Sequence, residues 1–152
     1  MPRLDKTSGI QEGAQAPDRT GPWFDVAVLV ESELTGTSAR RMTELYQMKS
    51  TPLRYHLVRP LGDASTRTDD LHQQAERLML KSVERMEALQ VPVTGVVTDQ
   101  EPVDAVLELV ATMQCQEVVV VTGRHRLATI LHRDLASQVR SRVDLPLVHL
   151  VA

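Results

Sequence analysis

The chain has 152 residues, of which 42% are apolar and 24% are charged, a size and composition typical of one folded domain. Aromatic residues make up only 3%, which argues against single-stranded nucleic-acid binding, because proteins of that class stack bases on aromatic faces. The formal net charge of −3 gives no general attraction to nucleic acid or to anionic lipid. We therefore expect neither as a partner.

The single cysteine, Cys115, excludes an intrachain disulfide and favours a reducing compartment. No apolar run reaches the ~18 residues that a membrane-spanning helix needs. The N-terminus also lacks the apolar core of a signal peptide. We expect a cytoplasmic protein without direct membrane insertion. Because Cys115 lies between a helical pattern and a valine run, we expect it to be a small buried residue and not a nucleophile.

Strand-like and helix-like segments alternate along the chain after a first stretch rich in proline and glycine. Residues 1–22 are predicted to form a flexible tail, and residues 23–152 an α/β domain. The predicted strands are 25–31, 54–59, 93–98, 117–121 and 147–151. The predicted helices are 38–48, 69–89, one that starts at 101–102, and 127–143. This alternation predicts a parallel sheet with helices on both faces.

The first helix is predicted from a capping residue and from apolar spacing. Thr37 or Ser38 is the expected cap, because a hydroxyl oxygen accepts a hydrogen bond from a free amide of the first turn. Ala39, Met42, Leu45 and Tyr46 recur at helical spacing, and we expect them to face the core.

The stretch EVVVVTGR, residues 117–124, is the most informative part of the chain. Four valines in a row, without alternation of apolar and polar positions, predict a strand that is buried on both faces. Gly123 follows at the carboxyl end of that strand. Ligands of open α/β sheets bind at such ends, and a glycine allows a backbone to approach a phosphate closely.

Three segments together resemble the universal stress protein family. They are the first strand with the following turn, DVAVLVE and SELTGTSARRM; the segment VVTDQEPVDAVLELVATMQCQEVVVVTGR; and the closing VRSRVDLPLVHLVA. The resemblance runs from about Phe24 to the C-terminus. It implies a three-layer, Rossmann-like α/β fold of the adenine-nucleotide alpha hydrolase type, with an open parallel five-stranded sheet in the order 3-2-1-4-5. The topological switch point then lies beside Glu31 and Gly123.

The glycine pattern of the family's ATP-binding members is degenerate in this chain. Those members carry Gly-x2-Gly-x9-Gly-Ser/Thr after the fourth strand, where backbone amides surround the phosphates. Gly123 matches the first glycine, but Arg126 replaces the second, and Arg133-Asp134 stands where the later Gly-Ser is expected. Glu31 takes the place of the aspartate that follows the first strand.

Two interpretations of this segment remain open. In the first, the nucleotide site is vestigial, no cofactor binds, and the domain is a non-enzymatic regulatory module that works through protein contacts. In the second, ATP or AMP binds in an arginine-lined site, since guanidinium groups also bind phosphate well. We favour the first, because side chains crowd a site that needs close backbone approach. The candidate site residues are Glu31, Thr122, Gly123, Arg124, Arg126 and Arg133.

A third interpretation is that the chain is an accessory domain related to the stress-like soluble tails of membrane transporters. It depends on the faint similarity of one segment, LHRDLASQVRSRV, to such tails.

The residue pattern gives little support for metal binding or for catalysis. His125 and His132 lie seven positions apart among arginines, and the nearby positive charge disfavours a metal cation. There is no Gly-x-Ser-x-Gly motif and no Walker loop. We therefore expect no metal site and no catalytic residues.

The last strand is apolar and is expected at a sheet edge, where an unpaired strand invites pairing with another chain. In the resembled family, this strand pairs across a dimer. We therefore expect a homodimer. Its interface is predicted to contain Leu147, Val148, His149, Leu150 and Val151.

Overall fold

A computed structural model of the chain describes residues 23–61, 69–123 and 130–152, with the side chains of 130–134 excepted. The predicted tail, residues 1–22, lies outside the described residues. The strands are β1 (Phe24–Val30), β2 (Leu53–Pro60), β3 (Val93–Thr98), β4 (Glu117–Thr122) and β5 (Leu147–Val151). The helices are α1 (Gly36–Glu44), α2 (Asp69–Glu87), α3 (Pro102–Met113) and α4 (Ile130–Arg142). The predicted alternation of strands and helices is confirmed.

All five strands pair in parallel, in the order β3-β2-β1-β4-β5, which confirms the predicted order 3-2-1-4-5. Helices α1 and α2 pack against each other on one face of the sheet, and α3 and α4 pack on the other. The result is the expected three-layer α/β fold.

The centre of the sheet is buried on both faces. Residues 26–30 of β1 and 118–121 of β4 have no exposed surface. Val119 and Val121 belong to the core beneath α1 and α2, whereas Val118 and Val120 belong to the core beneath α3 and α4. Successive residues of a strand point to opposite faces, so a strand covered on both sides needs apolar residues at every position. This explains the uninterrupted valine run.

The start of α1 differs from the prediction. Thr35 is the N-cap: its Oγ1 accepts from the amide of Ser38 at 3.0 Å, and its own amide donates to the Ser38 hydroxyl at 2.8 Å. The expectation that Thr37 or Ser38 caps the helix was therefore wrong. Ser38, the third residue of the helix, is the reciprocal partner in a capping box. Its hydroxyl takes the role that a glutamate or glutamine side chain has in the usual capping box.

The end of α1 also differs. The helix stops at Glu44 and not near Met48, because the amide of Leu45 bonds to the carbonyls of both Arg41 and Met42, and the chain then tightens into turns. Ala39, Met42 and Tyr46 are buried as expected, but Leu45 is 47% exposed, so its predicted core position was wrong.

Cys115 is buried against the α3 and α4 face, as expected. Burial, with a further contribution from the negative charge of Asp25, raises the pKa of its thiol to about 12. The thiol therefore stays protonated at neutral pH, whereas a nucleophile would need the thiolate.

Two buried tyrosines of the α1 and α2 core offer a matched pair for a stability test. The Tyr46 hydroxyl donates to Glu117 Oε1 at 2.8 Å, whereas the Tyr55 hydroxyl has no hydrogen-bond partner within the described part of the chain. Burial raises the pKa of Tyr55 to about 12. A buried polar group without a partner costs about 1–3 kcal/mol.

We predict that Tyr55→Phe stabilises the protein by about 1 kcal/mol, because it removes an unsatisfied hydroxyl and keeps the ring. Tyr46→Phe should destabilise it by about 2 kcal/mol, because a hydrogen bond to a carboxylate is lost. Denaturant unfolding of both variants measures the two changes. A Tyr55→Phe variant that loses as much stability as Tyr46→Phe would contradict the inference that the Tyr55 hydroxyl is buried without a hydrogen-bond partner.

Candidate functional site

Three of the candidate residues come together where β1 and β4 end. Strands β1 and β4 are neighbours, and the amide of Glu31 donates to the carbonyl of Val121 at 2.9 Å. Thr122 and Gly123 follow directly and are buried. The chain then leaves β1 toward α1 on one face and β4 toward α4 on the other, so a topological switch point lies here. Arg124 and Arg126, and the side chain of Arg133, lie outside the described residues.

The Thr122 hydroxyl is engaged inside the protein. Its Oγ1 lies 2.8 Å from Nε2 of His149 on β5. Thr122 has no exposed surface. This side chain therefore ties β4 to the edge strand instead of lining an opening.

Arg59 is a residue of this region that the sequence analysis missed. It stands near the carboxyl end of β2, and its Nη1 donates to the carbonyl of Glu31 at 3.0 Å and to that of Val30 at 3.3 Å. The same nitrogen lies 4.0 Å from Glu31 Oε1. The guanidinium thus crosses the end of β1 and places a positive charge at the switch point. The predicted strands already put the ends of β1 and β2 at one edge of the sheet, which is the signal that would have pointed to Arg59.

Helix α2 holds the connection between β1 and α1. The amide of Leu34 donates to the buried Ser82 hydroxyl at 3.1 Å, and Arg85 donates to the carbonyl of Leu34 at 2.8 Å. Arg85 also pairs with Glu33 at 3.5 Å. Both polar groups of the Leu34 backbone are thereby satisfied, which fixes the approach to the α1 N-terminus.

The described opening beside Glu31 is acidic. A cavity of about 500 Å³ lies between the start of α3 and the last half of α4. Its polar lining has three carboxylates, Glu31, Glu101 and Asp104, and one cation, Arg142, which pairs with Asp104 at 3.7 Å. Carboxylates repel a phosphate, because both carry negative charge. The described part of this opening is therefore unsuited to a polyphosphate.

No group of three or more metal-ligating side chains occurs in residues 23–61, 69–123 and 130–152 that could hold a cation. Over the same residues, no helix combines the length and the apolar character that crossing a membrane requires.

A second polar cluster lies at the opposite, amino end of the sheet, and its members were not predicted to meet. The Asp25 carboxylate accepts from Arg54 Nε at 2.8 Å and from Arg54 Nη2 at 3.1 Å. His56 Nε2 lies 2.9 Å from Asp25 Oδ1, and His56 Nδ1 lies 3.1 Å from Thr94 Oγ1. Asp25 and His56 are buried, whereas Thr94 is exposed.

The Asp25–His56–Thr94 chain contains the residue types of a hydrolytic triad, but its surroundings suit a structural role better. Arg54 binds both carboxylate oxygens of Asp25, which neutralises the charge that would stabilise an imidazolium. The Asp25 backbone is held as well, because its amide donates to Gln116 Oε1 at 2.7 Å. Arg54 stacks on Trp23 with its Cζ 4.6 Å from the ring centroid. We therefore interpret the cluster as a clamp across β1, β2 and β3.

The five residues of the predicted dimer interface form β5, which lies at a sheet edge as expected. Leu150 is buried in the core, and the other four are half-buried.

Solved structures similar to this chain include several universal stress proteins. The universal stress protein of Archaeoglobus fulgidus in complex with dAMP superposes with a TM-score of 0.64 at 14% identity, covering 85% of this chain and 98% of that chain. A universal stress protein in complex with cAMP gives 0.54 at 18% identity, over 83% and 95%. A family member from Burkholderia pseudomallei gives 0.56 at 13% identity, over 90% and 100%. The chain therefore has the fold of the universal stress proteins.

The similarity lies in the fold and not in the sequence. No protein-family model matches the sequence, and no curated protein is significantly similar to it.

The clamp across β1, β2 and β3 leads to a prediction about the free energy of unfolding. Arg54→Met should destabilise the protein by about 3 kcal/mol, because it leaves the Asp25 carboxylate buried without its cation. Arg142→Met is the matched control, since Arg142 and Asp104 are both more than half exposed, and its cost should stay below about 1 kcal/mol. Urea unfolding of the two variants measures the difference. If both substitutions lower the free energy of unfolding equally, the buried Asp25–Arg54 pair stabilises the protein no more than the exposed Asp104–Arg142 pair does, and the prediction is wrong.

Proposed function

We propose that this protein is a non-enzymatic binding or regulatory module with the universal stress protein fold, and that it does not bind ATP in the way usual for that fold. The observation that carries the proposal is the acidic lining of the described part of the cavity beside Glu31, between α3 and α4. Glu31, Glu101 and Asp104 face a cavity where a polyphosphate would need cations or free amides.

Two further features support the proposal. Arg59 lies at the switch point, but its Nη1 already donates to the carbonyls of Val30 and Glu31. The segment after β4 carries Arg126 and Arg133 at positions where the glycine pattern needs residues without a side chain. The single cysteine fits action in a reducing compartment, and we propose the cytoplasm.

A second candidate function is binding of a nucleoside monophosphate. Two proteins with this fold were solved with dAMP and with cAMP, each of which carries a single phosphate. Arg59 at the switch point, together with Arg124 and Arg126 of the sequence, would supply the positive charge for such a ligand.

Calorimetric titration with ATP, AMP and cyclic AMP distinguishes the two functions. We predict no heat of binding for any of the three, because carboxylates line the opening. Micromolar AMP binding that Arg124→Ala and Arg126→Ala weaken tenfold would establish the second function instead. Arg77→Ala, which removes an exposed arginine of α2, is the control for general loss of positive charge.

We also propose that the protein forms a homodimer through β5. The amide of Ala152 donates to the carbonyl of Thr122, so every second amide of β5 points toward β4. Because backbone groups alternate along a strand, the amides and carbonyls of Leu147 and Val151 point away from β4 and toward the open edge. A second copy of β5 supplies partners for these groups.

Hydrogen exchange tests this dimer at single residues. We predict that the amide of Leu147 exchanges slowly at micromolar concentration and faster on dilution, because its partner belongs to a second copy. Val151→Pro removes an outward amide without breaking a bond to β4, and it should raise the exchange rate of Leu147 while that of Leu150 is preserved. A Leu147 amide that exchanges at the unprotected rate at every concentration would exclude the dimer.

A further inference from the structure

We draw no further inference here: the strongest candidate, the groove between α2 and the exposed edge strand β3, which His72, Glu76 and Leu80 line from the helix, carries no proposal because nothing in the structure shows what covers it.

Discussion

Strands β1 and β4 are buried on both faces, and their parallel pairing determines where the other elements lie. Each buried valine of this pair contributes roughly 2 kcal/mol relative to an exposed position, so a shift of register would be costly. The pairing of Val30 with Val121 places Glu31 beside Thr122, and it makes the chain diverge to opposite faces at that point. The position of the switch point depends on this contact.

The region at the switch point is well ordered by the protein's own contacts. Arg59 bonds to the end of β1, Ser82 and Arg85 hold the Leu34 backbone, and Thr122 bonds to His149. Among the described residues that line the cavity beside Glu31, three carry carboxylates and one is an arginine. This acidic lining is the physical basis of the proposed regulatory function.

The sequence predicted the fold well where a single strong pattern decides the structure. The valine run located β4, and the resemblance supplied the strand order, both of which the structure confirms. The N-cap prediction was wrong because a serine is suited to two different positions at the start of a helix. Ser38 is a good N-cap residue by type, yet it bonds to the Thr35 amide from inside the first turn, and only the backbone geometry distinguishes the two roles.

The candidate site was predicted in part. Glu31, Thr122 and Gly123 meet because they end neighbouring strands, which the strand order alone implies. Arg59, and the Asp25–Arg54 pair, were missed, since each contact joins residues about 29 positions apart, and the exact register of β1 on β2 decides which side chains face each other. No pattern in the local sequence determines the register of β1 on β2.

Amide chemical shifts test whether ATP binds at the carboxyl ends of β1 and β4. In a titration of the isotope-labelled protein with ATP to millimolar concentration, we expect the amide signals of Glu31, Thr122 and Gly123 to stay where they are. Saturable shifts of these three signals, absent from surface residues such as Arg77, would place a nucleotide at the end of β4 and overturn the proposed function.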